Sequence, residues 1–211
     1  MPRELHIPLM DEDILNLKVG ETVRLSGVIV TARDAAHRWL VENIIHPRKP
    51  VSPEEQAIVD DLKRLLQHGV VYHCGPVVTG VETGDYRVTA AGPTTSIREE
   101  PYQAEVMRFF HLKGMIGKGG MGPTTLTACQ AEPAVYFHAV GGASAVIAQT
   151  IQQVMRVHKL DFGVPEALWV WRVSQLPVIV TMDAHGASLH EQVRDRSRQA
   201  LESLVIINRN D

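Results

Sequence analysis

Apolar positions recur along the chain as short β-branched runs, each followed by Gly with Thr or Ser and then by a helical pattern. Glu21–Val30 (ETVRLSGVIV) alternates apolar and polar residues and predicts a strand. Thr31 and Asp34 stand at capping-box spacing, so a helix is expected to start there and run through Leu40. Tyr86–Ala91 is a second strand, and Ser96 with Glu99 is spaced to cap a helix toward Phe110. A third strand, Leu112–Ile116, is followed by a glycine-rich turn and a helix that Thr127 and Gln130 are spaced to cap. The fourth strand, Ala134–Val140, leads through Gly141–Ser144 into an Ala/Ile-rich helix expected to reach Val154. Pro177–Met182 is a late strand entering Asp183-Ala184-His185-Gly186.

The N-terminal third reads differently, with Val70–Val78 as one strand after a long connection. Within that connection Ser52-Pro53-Glu54-Glu55 supplies an N-cap, a proline at the first helical position and a glutamate at the third. Gly69 is expected to close this helix. Residues 190–211 predict a charged, solvated C-terminal helix and tail. Strands alternating with helices argue for βα units, a largely parallel sheet and one α/β domain over residues 1–211.

Composition narrows the function classes. The 211 residues are 45% hydrophobic and 21% charged, ordinary for a globular protein. Lys+Arg 21 against Asp+Glu 24 gives a net charge of -3, which argues against nucleic acid as a partner. No apolar run reaches the roughly 20 residues that span a bilayer. The N-terminus carries no basic region before an apolar stretch, so no membrane partner and no secretory signal are expected. Cys74 and Cys129 form no CxxC pair, which points to a reducing cytoplasm. Two thiols cannot supply an iron–sulfur cluster, and the ten scattered His form no HExxH frame, so no metal ligand is expected in this chain.

Open α/β sheets bind ligands beyond the carboxyl ends of their strands. Three Gly/Thr loops fall there, at Thr94-Thr95-Ser96, Gly117–Gly122 and Gly141–Ser144, together with Arg33, Arg98 and Lys118. Helix N-termini and three cations suit a small dianion. Turn and cap chemistry alone would also place Gly and Thr at such points, and an Arg at a helix start is commonly solvated. Lys118 precedes the glycines and no GK[ST] follows, so the loop is neither a P-loop nor GxGxxG, and nucleotide binding is disfavoured.

Gly92-Pro93-Thr94-Thr95-Ser96-x-Arg98, followed by Gly117-Lys118-Gly119-Gly120-Met121-Gly122-Pro123, resembles the signature of the class I iron–sulfur fumarate hydratases and L-tartrate dehydratases. The match is to their β subunit, equivalent to the C-terminal catalytic domain of single-chain members. Arg33-Asp34-Ala35-Ala36-His37 and Asp183-Ala184-His185-Gly186 resemble that family's early and late segments, so the likeness runs in order over residues 10–190. It implies a swivelling β/β/α fold, a mainly parallel central sheet with a smaller antiparallel sheet and flanking helices. It also implies a cluster-bearing α subunit supplying a [4Fe-4S] cluster, an α2β2 assembly, and reversible hydration of fumarate to L-malate.

By the same resemblance Arg33, Arg98 and Lys118 bind substrate carboxylates, and Gly119 and Gly120 let the backbone approach them. Thr94 is the proton-exchanging threonine, while Asp34, His37 and His185 orient the others. Two departures stand out: Glu99-Glu100 follows Arg98 where the family often has Met with an acidic or small residue, and the connection at 47–69 is long. The rivals are an L-tartrate dehydratase β subunit, a non-catalytic anion-binding assembly subunit, and a metal-independent enzyme working alone.

Overall fold

Both faces of the main sheet are buried, and this decides how its strands read. The computed structural model describes residues 2–207. In chain order it runs β1 (Arg3–His6), α1 (Asp11–Leu15), β2 (Thr22–Thr31), α2 (Asp34–Trp39), α3 (Pro53–Leu66), β3 (Val70–Tyr72), β4 (Val77–Thr79) and β5 (Arg87–Ala90). It continues through α4 (Glu100–Phe110), β6 (Gly114–Gly117), α5 (Pro123–Ala131), β7 (Val135–His138), α6 (Ser144–Ala148), β8 (Ile151–His158), β9 (Leu168–Met182) and α7 (Leu189–Ile207). A π-turn at Leu40–Ile45 prolongs α2, and a 3-10 turn at Ser96–Glu99 leads into α4.

Seven strands pair in the order β1-β2-β3-β6-β7-β9-β8, and β9 also pairs with β2. From β1 to β7 every pairing is parallel, while β9 runs antiparallel to β7, β8 and β2. The β2–β9 ladder, from Thr22↔Ile179 to Val30↔Val170, therefore closes β2, β3, β6, β7 and β9 into a ring. β4 and β5 form a separate two-stranded antiparallel sheet. The result is a mixed α/β fold, mainly parallel at its centre, with a smaller antiparallel sheet and flanking helices.

Alternate strand residues enter two different cores, as pleating requires. Tyr72, Ile116, Phe137, Trp169 and Trp171 pack on one face with β1, α1 and the small sheet. Val71, Met115, Tyr136, Leu168 and Val170 pack on the other against Trp39, Leu62, Met107 and Phe110 from the helices. Strands buried on both faces read as continuous apolar runs, as VVY, VYFH and LWVW do.

Several local expectations give way to tertiary bonding. Thr31 does not cap α2: its hydroxyl donates to the Ala167 carbonyl (3.2 Å) and accepts the Trp169 N–H (3.0 Å), tying β2 to β9. Ser96 does not cap a helix, because His73 and Tyr136 occupy its hydroxyl (2.7 and 2.8 Å). Thr127 lies inside α5 and donates to the Pro123 carbonyl (2.9 Å). The helix expected to reach Val154 stops at Ala148, since Ile151–His158 pairs with β9. The run 70–78 breaks at Gly75-Pro76 into β3 and β4, which belong to different sheets. The late strand begins nine residues earlier than Pro177, at Leu168.

The α3 helix carries the expected capping box between Ser52 and Glu55. It ends at Leu66, with His68 rather than Gly69 in the left-handed conformation (φ 59°). α7 covers the charged C-terminal stretch, and the tail at 208–211 lies outside the described residues.

The N-terminus of α5 is capped from another helix. The Glu100 carboxylate accepts the N–H groups of Gly122, Thr124 and Thr125 (2.8, 3.0 and 3.1 Å) and the Thr125 hydroxyl (2.6 Å). A carboxylate satisfies these orphan donors and complements the helix dipole. It also anchors the end of the glycine-rich turn. Glu100→Ala should lower unfolding stability by about 2 kcal/mol, because it leaves donors unpaired; the urea midpoint measures this, and an unchanged midpoint would remove the cap from the account.

Candidate functional site

β2, β3, β6 and β7 lie side by side and parallel, so the residues that follow them share one edge. The segment Thr94–Ser96 is laid along that edge. Thr94 N–H donates to the His73 carbonyl (2.8 Å), Lys118 N–H to the Thr94 carbonyl (3.1 Å), and Ser96 N–H to the Lys118 carbonyl (3.1 Å). Thr94 and Lys118 are thereby joined through main chain.

Arg33 follows β2 and takes the N-cap position of α2 in extended backbone. Its Nη2 lies 3.2 Å from Glu166 Oε1, while Glu166 Oε2 accepts the Ala35 N–H (3.1 Å). The guanidinium lies on Gly75, where a Cβ would collide with Nη1. Its buried Nε has no hydrogen-bond partner among the described residues. Arg98, on the 3-10 turn, places Nη2 2.9 Å from Asp34 Oδ2, with both side chains half-exposed.

Lys118 is half-buried and pairs with no carboxylate among the described residues. Gly119 and Gly120 follow in left-handed conformation (φ 81° and 78°), which turns the chain back beneath it. The buried Thr94 hydroxyl likewise has no partner. Unmet polar groups on a strand-end edge mark a place where a ligand can complete the bonding.

The structure thus brings Arg33, Asp34, Thr94, Arg98, Lys118, Gly119 and Gly120 to one edge, with His37 behind Arg33. His185 lies elsewhere: its Nε2 meets the Leu15 carbonyl (3.0 Å) and its N–H the Asp183 carboxylate (3.0 Å), so it belongs to a turn packed on α1. A cavity of about 450 Å³ also lies apart from this edge, lined by Glu42, Arg48 and Glu55. It holds none of the edge residues, and geometry favours the edge.

Of the layer beneath, sequence reasoning named only His37 as a site residue. His37 Nδ1 lies 3.0 Å from the Arg33 carbonyl, and Nε2 3.1 Å from the Gln103 amide. His73 Nε2 reaches the same amide (2.8 Å), and its Nδ1 the Ser96 hydroxyl (2.7 Å), to which Tyr136 also donates (2.8 Å). Burial lowers His37, and burial together with His37 lowers His73 to about 3. Both rings are therefore neutral. A carbonyl only accepts, so His37 carries its proton on Nδ1 and its Nε2 must accept; the Gln103 amide is accordingly assigned with its N–H rather than Oε1 directed at the two imidazoles. Glu99 is fully buried with no partner for either oxygen, and burial plus the nearby Asp34 raise it to about 8. His138 ends β7 with Nδ1 unpartnered, 6.0 Å from the ring of His190, which bonds the Thr181 hydroxyl (3.0 Å). His73 and His138 had a signal: each is a lone polar residue in or ending an apolar run (VVYHC, VYFHA).

The described residues do not fit an iron–sulfur cluster. No group of three His, Cys, Asp or Glu among them could hold a metal ion. Cys74 and Cys129 are both fully buried free thiols, and burial pushes Cys129 up to about 12.

Neutral, buried His73 has an acid consequence. Unfolding returns it to about 6.5, so the unfolded chain takes up its proton first as pH falls. Its contribution to stability is present above pH 6.5 and is lost as pH falls toward 3. Thermal melts from pH 7 to 4 should show a smaller loss in His73→Asn than in the native chain; equal slopes would mean that this ring is not held neutral.

The Fumarase C-terminus family model matches residues 3–193. A Geobacillus stearothermophilus protein provisionally named fumarate hydratase class I is 44% identical over 197 residues, covering 93% of this chain and 35% of that relative. The chain thus spans about a third of that relative's length. The Escherichia coli L(+)-tartrate dehydratase subunit beta is 34% identical over 191 residues, 90% of this chain and 87% of the relative. A Methanocaldococcus jannaschii protein provisionally given the same subunit name is 34% identical over 199 residues, 93% and 95% of the two chains. With a family model covering nearly its whole length and the motif residues gathered on one strand-end edge, the chain belongs to the Fumarase C-terminus family.

Proposed function

We propose that this chain is the β-type subunit of a hydro-lyase that reversibly adds water to fumarate to give L-malate, completed by an α subunit. The observation that carries the reading is the edge itself: Lys118, the Arg33 Nε and the buried Thr94 hydroxyl, which have no partner among the described residues, all beyond parallel strands. Cations there would bind both carboxylates, with Arg offering two parallel hydrogen bonds and Lys a compact charge. When a proton leaves the carbon next to a carboxylate, negative charge develops on that carboxylate, and fixed cations stabilise it. Thr94 would hold the exchanging proton at Oγ1. Its neighbour Lys118 supports this, because a hydroxyl needs a nearby positive charge to give up a proton. Gly119 and Gly120 would admit backbone to the substrate. Asp34 and His37 would orient Arg98 and the Arg33 main chain.

The [4Fe-4S] cluster that the family resemblance implies would belong to the α subunit, since the residues here do not fit it. An α2β2 heterotetramer follows from the same resemblance. Two buried free thiols support a reducing, cytoplasmic setting, and no helix among the described residues is long and apolar enough to cross a membrane. L-tartrate dehydration is the second reading. It is supported by the 34% identity to the Escherichia coli tartrate dehydratase subunit beta, whereas fumarate is favoured by the 44% identity to the class I relative.

The test is an anaerobic assay of this chain alone and co-expressed with its α subunit, following fumarate, malate and tartrate. Activity is expected only in the complex. In that complex Lys118→Ala should lower turnover about 100-fold or more, the scale of losing one charge-stabilising group, while the cluster absorbance stays intact. Near-native turnover would remove Lys118 from the site, and activity of the isolated chain would overturn the two-subunit reading.

A further inference from the structure

Glu99 is a buried acid beside the site whose chemistry the reaction above does not use. Its side chain is fully buried, and neither carboxyl oxygen has a donor among the described residues. A carboxylate in that position would be an uncompensated buried charge, which is costly. Arg98, its neighbour in sequence, does not relieve it, because the guanidinium is turned to Asp34 Oδ2 at 2.9 Å. Among the described residues, Asp34 from α2, Arg98 on its own turn and Tyr136 from β7 lie close enough to act electrostatically on Glu99. The Tyr136 phenol is neutral, since burial raises it. Of the two carboxyls, Asp34 is half-exposed and carries the Arg98 pair, whereas Glu99 is the buried one without a cation.

We propose that Glu99 is a positioning residue for substrate binding: as the neutral acid it donates its O–H to the Asp34 carboxylate and so holds Arg98 at the edge. The kinetic half of this rests on the hydro-lyase reading, and the proton itself does not. A second charge on Glu99 would compete with Asp34 for the guanidinium and draw Arg98 inward, away from a substrate carboxylate. Burial and Asp34 place that ionisation at about 8, so the acid form dominates at neutral pH. Sign and geometry agree: affinity should be highest below this value and should fall above it.

Infrared difference spectra of the full chain read the proton directly. At pH 7 the native protein should show a protonated-carboxyl band that disappears in Glu99→Gln and bleaches between pH 7 and 9. Absence of a Glu99-dependent band would overturn the proposal whatever reaction the protein catalyses. In the assembled enzyme, native KM for the dicarboxylate should rise above about pH 8. Glu99→Gln, whose amide N–H can still donate to Asp34, should lose that rise. Glu99→Met, which cannot donate, should raise KM about tenfold at pH 7, the scale of one hydrogen bond to a charge, with kcat changed less. Glu99→Gln should stay within about threefold of native, since its donor is retained. An alkaline KM rise that persists in Glu99→Gln would overturn the positioning role. An assembly inert toward fumarate and tartrate would strike the hydro-lyase reading and the substrate half of this proposal, while the infrared band would still decide the proton.

Discussion

Strand β9 is hydrogen-bonded along one edge to β2 and along the other to β7 and β8, and the rest of the molecule depends on that double pairing. A sheet of parallel strands has two free edges. Here one long antiparallel strand joins β2 to β7 and fixes where each parallel strand stops. The Thr31 hydroxyl, shared between the Ala167 carbonyl and the Trp169 N–H, pins the end of β2 to the start of β9. Glu166, one residue before that contact, is thereby set to hold Arg33 and the first turn of α2. The position of a cation in the site is thus a consequence of a backbone ladder.

Beneath the edge, polar bonding replaces apolar packing. His37, Gln103, His73, Ser96 and Tyr136 form one buried chain of hydrogen bonds running from the Arg33 carbonyl to β7. Each ring orientation in this network depends on the next, and one atom of the Gln103 amide is left without a partner among the described residues. The network fixes the turn carrying Thr94 and Ser96 against the strand carrying His73. The edge above is thus held in place by side chains that lie beneath it.

Much of this was legible in the sequence because it is local. The Ser52–Glu55 capping box, the strand at 21–30 and the glycine turn at 117–122 are set by residues within a few positions of one another. The strand-end pattern already placed Arg33, Thr94, Arg98 and Lys118 along one edge. What could not be read depends on partners distant in the chain. Thr31, Ser96 and Thr127 all have capping spacing, yet two of these hydroxyls bond residues 23 to 138 positions away. The helical look of 144–154 yielded to pairing with β9, which no local pattern announces. Glu100 caps a helix that starts more than 20 residues downstream, a role that its own neighbours in sequence do not announce. His185 shows the converse: a motif residue whose ring is spent on the Leu15 carbonyl.

The charges on the edge do not cancel. Arg33 is matched by Glu166 and Arg98 by Asp34, which leaves Lys118 as the surplus and the edge at a formal +1 while Glu99 is neutral. A dianion settling there turns that surplus into a deficit of one unit. Any neighbouring surface that contributes positive potential relieves the deficit, and by thermodynamic reciprocity a bound dianion tightens the grip of that surface to the same degree. On the proposed function, docking of a second protein and loading of a doubly charged acid would be two halves of one electrostatic equilibrium, with Lys118, unpaired among the described residues, as its pivot.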